Sequence, residues 1–168
     1  MKVLIFSDSH GDVEIMCAAV DAETPGAVIH LGDHVADAER LGERYPEMPV
    51  YSVPGNTDAR KAGERTRHIE LCGRRIMLTH GHTFMEDKRA KTFFEGITNL
   101  FLSECSGADI ILFGHTHEPF LNCCNGKWIM NPGRVGRISS RRIHATYGVL
   151  ELGPDRTNWR IQEAGQVQ

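Results

Sequence analysis

Disulfide chemistry is the first thing missing from this chain. It carries 5 cysteines, an odd number, and no C-x-x-C pair, so neither a disulfide framework nor a zinc knuckle is indicated. Cys17, Cys72, Cys105, Cys123 and Cys124 read as reduced thiols, the last two as packing on a hairpin. Surplus positive charge is missing too. The formal net charge is -3 and the sequence pI is about 6.3, which argues against the basic face that long nucleic acids require. No apolar run approaches the ~20 residues of a membrane span, and the first such run, residues 3–6, is too short for a signal-peptide core. The chain is therefore expected to be cytoplasmic. Repeats, low-complexity tracts and linkers are also absent. The 168 residues are accordingly read as one domain, 1–168, large enough to bury a core without staples.

What is present is a regular alternation of apolar runs and amphipathic segments. Val3-Leu4-Ile5-Phe6 reads as a buried strand, as do residues 27–31 and 50–53. Between them, residues 13–23 and 36–45 have helical spacing, closed by Pro25-Gly26 and Pro46. Strands alternating with helices predict a parallel sheet in the first third. Later the pattern changes. Residues 68–71 and 75–79 flank Cys72-Gly73-Arg74, and residues 119–123 and 127–130 flank Asn125-Gly126, both hairpin signals. Residues 86–103 read as an amphipathic helix, 109–113 as another buried strand, and 147–152 and 159–162 as final strands. The expected fold is α/β, with two packed mixed sheets flanked by helices.

The polar residues fall where these strands end. Asp8-Ser9-His10 follows the first strand, Gly32-Asp33 the second, and Gly55-Asn56-Thr57-Asp58 the third. His80-Gly81-His82 follows the first hairpin, and Gly114-His115-Thr116-His117 follows the run ending at Phe113. Ligands of open α/β sheets bind beyond the carboxyl ends of the strands, so the five segments share one potential site. Taken singly, Gly32-Asp33 and Gly55-Asn56 read as turns, and Asp8 with His10 as a loop and helix cap. Together they read as a metal centre. In extended chain, residues i and i+2 lie roughly 7 Å apart on one side, which suits two ions about 3.5–4 Å apart. Alternatively, the chain bends at Asp8 and His10 and both serve one ion. Imidazole, carboxylate and amide oxygens suit manganese, iron, zinc, cobalt or nickel.

The ordered set D-x-H, G-D, G-N, H and G-H-x-H resembles the calcineurin-like metallophosphoesterases. The short length and Asn131-Pro132-Gly133 are similar to their small YfcE-like phosphodiesterase branch. That resemblance implies a four-layer α/β/β/α sandwich and two divalent ions, with Mn²⁺ the first choice. Asp8, His10 and His117 would hold one ion, and Asn56, His80 and His115 the other. Asp33 would bridge them, and a hydroxide between the ions would attack phosphorus. Catalytic roles fall on Asp33, Asn56 and His82. Relatives of this size also imply a homodimer or homotetramer.

Two departures from the family pattern matter. Thr57 stands where larger relatives have a histidine that protonates the leaving group, and threonine is a poor acid near neutral pH. His82 or Asp58 is left to replace it, with slow turnover expected on poor leaving groups. Arg134 follows the N-P-G where the branch more often has serine. With Arg137, Arg141 and Arg142 it could grip an acidic substrate group, so His82, Asp58 and Arg134 are the candidate substrate contacts. His30 reads as a hydrogen-bonded core residue, and His34, His68 and His144 as surface or structural. The resulting expectation is a phosphodiesterase acting on small phosphoesters. A nucleotide-specific phosphodiesterase or nuclease, or a scaffold of the same fold like the small retromer subunit, stands as the alternative.

Overall fold

The computed structural model describes residues 1–59, 63–85, 107–124, 126–136, 144–154 and 156–165. The first third alternates as expected: β1 (Lys2–Phe6), α1 (Val13–Glu23), β2 (Ala27–His30), α2 (Val35–Arg44) and β3 (Val50–Ser52). β4 (Thr66–Leu71) and β5 (Arg74–Thr79) form a hairpin, followed by a single helical turn, α3 (His82–Met85). β6 (Ile110–Leu112), the hairpin of β7 (Pro119–Cys124) and β8 (Lys127–Pro132), and the pair β9 (Thr146–Leu152) and β10 (Thr157–Glu163) complete the described elements.

The strands form two five-stranded mixed sheets, ordered β10-β9-β1-β2-β3 and β4-β5-β6-β8-β7. β1, β2 and β3 pair in parallel, as do β5, β6 and β8. The continuous apolar runs are explained by burial on both faces. Val3 and Ile5 of β1 face Ile76, Leu78, Ile110, Leu112 and Met130 of the other sheet, whereas Leu4 and Phe6 pack on Met16, Cys17 and Val20 of α1 and Leu41 of α2. One core thus lies between the sheets and a second between the first sheet and its two helices. The helix expected over 86–103 lies outside the described residues, as do Arg137, Arg141 and Arg142.

Because all the parallel strands run the same way within their sheets, each sheet gathers its outgoing loops at one edge. The turn between β4 and β5 has positive φ at Cys72 (50°) and Gly73 (74°), the backbone of a two-residue hairpin loop. Cys123, expected to pack on its hairpin, is exposed instead, because β7 is the edge strand of its sheet, where Leu121 and Asn122 are exposed as well.

Candidate metal centre

Asp8 leaves the end of β1 fully buried. Its Oδ2 accepts a hydrogen bond from Ser7 Oγ (2.5 Å) and another from the backbone N–H of His115 (3.2 Å). The second bond joins the first sheet's loop to the second sheet's. Asp8 Oδ1 is also buried but receives no hydrogen bond, although His117 Nε2 approaches to 3.1 Å. Burial acts to raise the Asp8 pKa, but His117 and Ser7 outweigh it and hold the carboxyl below its ordinary range. A buried carboxylate oxygen facing an imidazole nitrogen, with no aligned proton between them, is a donor pair that a cation would fit.

The loops reach this arrangement by leaving strand geometry. Asp8, His10, Asp33, His115 and His117 all have φ between 46° and 69°, a left-handed conformation that costs about 1–2 kcal/mol per non-glycine residue. This settles the two spacings left open by sequence. The turn at Asp8 folds His10 back, so that ligand atoms of Asp8, His10 and His117 lie within 4.8 Å of one another. His115 and His117 part company: His115 stacks near His80, with ring centroids 5.1 Å apart, and His117 lies near His10, 6.0 Å apart.

Asp33 stands between these groups. Its Oδ2 is 3.9 Å from His10 Nε2 and its Oδ1 is 3.4 Å from His80 Nε2. Oδ1 also accepts from the Thr57 backbone N–H at 3.0 Å. Asp8, Asp33 and His80 form a second cluster with ligand atoms within 4.8 Å, all three buried. Asp33 reaches this position because two glycine loops touch. A Cβ on Gly32 (φ +99°) would lie 2.5 Å from the Gly55 backbone nitrogen, and a Cβ on Gly55 would overlap the Asp33 carboxylate.

His80 shows what the second group is built to hold. Its Nδ1 lies 2.8 Å from the Leu31 carbonyl oxygen, which can only accept, so the neutral ring carries its proton there. Nε2 is then a bare lone pair, 3.1 Å from Asn56 Oδ1 and 3.4 Å from Asp33 Oδ1. In that tautomer the three atoms can all donate lone pairs to a cation. A divalent cation fits that donor set, and the carbonyl behind His80 is the kind of outer partner that fixes a ligand's tautomer. Burial, then the neighbouring His80, pushes the His115 pKa down. Burial, then the Arg134 charge, does the same for His10. Both rings are therefore kept in the neutral form that coordinates metal.

The remaining expected residues divide. His82, at the start of α3, has its ring centroid 5.5 Å from that of His80 and 6.1 Å from that of His115, beside the second group. Asp58 is a correction. Its Oδ1 accepts from the backbone N–H groups of His34 (3.0 Å) and Val35 (2.9 Å), and its Oδ2 from Gly55 N–H (2.8 Å). Burial opposes ionisation, but these donors outweigh it and lower the pKa. Asp58 is thus an ionised brace between two loops and not a proton donor. Arg134 is turned inward: it is 9% exposed and its Nε donates to Gly136 O at 2.7 Å, so its charge acts on Asp8 and His10 from within.

Two supporting residues were not legible in the sequence. Asp37, on what reads as a polar helix, is fully buried. Its Oδ2 accepts from Ser9 Oγ and Gly11 N–H, both at 2.7 Å, with His34 Nδ1 at 3.1 Å. It clamps the loop that carries Asp8 and His10. Behind it, Gly32 N–H points at His30 Nδ1 (3.3 Å) and His30 Nε2 lies 3.0 Å from Ser9 Oγ. Since Ser9 donates its one proton to Asp37, His30 donates through Nε2. Asn131 of the N-P-G supports the other loop, donating through Nδ2 to Gly114 O (2.8 Å) and Thr116 Oγ1 (3.0 Å). Of the three acids in that helix only Asp37 lies between two alanines, the one signal the sequence offered.

Two sheets with a histidine–carboxylate cluster at their carboxyl edges form a candidate metal site. Residues 1–155 match the calcineurin-like phosphoesterase superfamily domain, and the chain belongs to that family. It is 34% identical over 172 residues to a probable metallophosphoesterase, YsnB, of Bacillus subtilis, covering 97% of this chain and 91% of the relative. Among solved structures it resembles the phosphoesterase YfcE of E. coli, with TM-score 0.65, 23% identity, and 90% and 88% of the two chains covered. It also resembles Vps29 of Entamoeba histolytica complexed with zinc, with TM-score 0.72, 18% identity, and 97% and 99% covered. The two likenesses below 25% identity bear on the fold alone. Among the described residues, no helix is long and apolar enough to cross a membrane.

Proposed function

We propose that the protein is a phosphodiesterase that hydrolyses small phosphoesters with two divalent ions, manganese first among the choices. The observation that carries this reading is the convergence of His80 Nε2, Asn56 Oδ1 and Asp33 Oδ1, next to the buried Asp8 Oδ1 that faces His117. Asp8, His10 and His117 would hold one ion, Asn56, His80 and His115 the other, and Asp33 both. When bound, such ions acidify a water toward neutral pH and offset charge on the phosphoryl oxygens.

This chain's own residues do the rest. Asp8 and Asp33 supply negative charge that keeps the centre from being strongly cationic. The Leu31 carbonyl holds the His80 tautomer, and the Asp37–Ser9–Gly11 clamp holds the loop of Asp8 and His10 in its strained form. Thr57 presents its backbone N–H to Asp33 and offers no acid. His82 is then the group placed to touch the phosphoryl oxygens or protonate the leaving oxygen.

The test is a panel of p-nitrophenyl diesters and monoesters after chelation, with manganese, nickel, cobalt or zinc restored singly. Asp33→Asn and His115→Ala should lose activity by 10²-fold or more, and full activity in either ends the proposal. With aryl esters of graded leaving-group pKa, His82→Ala should steepen the rate dependence; an unchanged slope removes His82 from that role. Metal-loaded protein that hydrolyses no ester would leave the scaffold reading.

A further inference from the structure

A polar cavity of about 240 Å³ opens beside Asn56 and His82 and is also lined by Asp58 and Arg65. It is smaller than the ~300–1,000 Å³ of sites for drug-sized ligands, so it has room for a small group rather than a whole large molecule. Arg65, just ahead of β4, is exposed and makes no hydrogen bond or ion pair with any described residue. The acid that shares its cavity, Asp58, has both oxygens engaged by backbone N–H groups of His34, Val35 and Gly55. Arg65 therefore lines a cavity contiguous with Asn56 and His82, with no bonding partner among the described residues. Its planar fork matches a carboxylate or phosphate two bonds at a time.

We propose that this cavity is a subsite for the part of the substrate remote from the reacting phosphorus, and that Arg65 selects phosphoesters carrying a second anionic group. The inference rests on the phosphoesterase reading and deepens it by naming the substrate class. The anion is a carboxylate or a second phosphate, which share the same recognition chemistry.

Two readouts test it. The first is calorimetric binding of phenylphosphonate, 4-carboxyphenylphosphonate and 1,4-phenylenebisphosphonate to the manganese-loaded protein, none of which can be hydrolysed at a P–O ester. The doubly anionic ligands should bind wild type at least about 10-fold tighter than phenylphosphonate. That advantage should vanish in Arg65→Ala, partly return in Arg65→Lys and reverse in Arg65→Glu. Comparison of the carboxylate with the phosphonate ligand shows which anion the subsite prefers. The second readout is kcat/KM for p-nitrophenyl 4-carboxyphenyl phosphate relative to bis(p-nitrophenyl) phosphate, whose ratio should fall toward unity in Arg65→Ala.

Equal binding of all three ligands by wild type, or an advantage that survives in Arg65→Ala, overturns the subsite. The two readings fail separately. Turnover of both esters at a ratio that Arg65→Ala does not move leaves the phosphoesterase and removes the subsite. Arg65-dependent binding with no turnover of either ester does the reverse.

Discussion

Replacing Asp37 by alanine tests whether the metal loop is braced from behind. Asp37 is fully buried, and its Oδ2 accepts from Ser9 Oγ–H and Gly11 N–H at 2.7 Å each. Alanine leaves the buried Ser9 hydroxyl and the exposed Gly11 N–H without that acceptor. At about 1–3 kcal/mol for the orphaned buried hydroxyl, and less for the N–H that water can reach, the loss should be about 2–4 kcal/mol, a large share of the roughly 5–15 kcal/mol available to a domain. Asp37→Asn can keep an oxygen where Oδ2 stands, retaining both bonds in neutral form and losing only their charge assistance. It should cost about 1–2 kcal/mol. Urea unfolding of metal-free protein reads both values, because the ions are then not part of the balance. Thermal midpoints should fall by about 2–4 °C per kcal/mol for a chain of this size. Manganese affinity should drop more in the alanine variant than in the asparagine variant, since the left-handed turns at Asp8 and His10 lose the clamp that offsets their strain. An alanine variant that loses under 1 kcal/mol, or the two variants behaving alike, would refute the reasoning.

Burial lowers the His30 pKa from 6.5 to about 4. The unfolded chain then binds a proton between these values that the folded chain does not, so stability is full above pH 6.5 and is lost as pH falls toward 4. The loss should be about 2 kcal/mol between pH 7 and pH 5, and His30→Gln should flatten that part of a urea-midpoint curve; a curve of unchanged slope contradicts it. A Cβ on Gly114 would overlap Ser7 Oγ and lie 3.2 Å from Asp8 Oδ2, so Gly114→Ala should cost about 1–3 kcal/mol and weaken metal binding, measured by calorimetry. Cys72 has φ 50° ahead of Gly73, a position that asparagine accepts with less strain. Cys72→Asn should therefore gain about 0.5–1 kcal/mol, and a lower melting temperature would count against that turn geometry.

Much of the architecture was readable from local pattern. Apolar runs such as Val3-Leu4-Ile5-Phe6 announce strands buried on both faces, because only such strands need no polar alternation. Glycine-flanked acids, amides and histidines after each strand announce a shared edge, because parallel strands deliver their loops to one side. What the linear order could not decide is which side chains meet. His115 and His117 are two residues apart, yet both turn left-handed and His115 lies beside His80 while His117 lies beside His10. Asp58 sits in the most suggestive cluster and yet braces backbone, while Asp37, in an unremarkable helix, holds a loop 28 residues away in sequence.

By itself, then, the sequence determined the strands, the turns, the chemical types of the ligands and the family they resemble. Those properties depend on neighbours within a few residues and on the apolar or polar character of each face. The tertiary structure alone decided how the candidate ligands group around Asp33, which acids are ionised braces, and that Arg134 points inward while Arg65 bonds to none of the described residues. Those outcomes depend on burial and on donors supplied by distant segments, as when His115 N–H reaches Asp8 from 107 residues along the chain, and no local pattern records them.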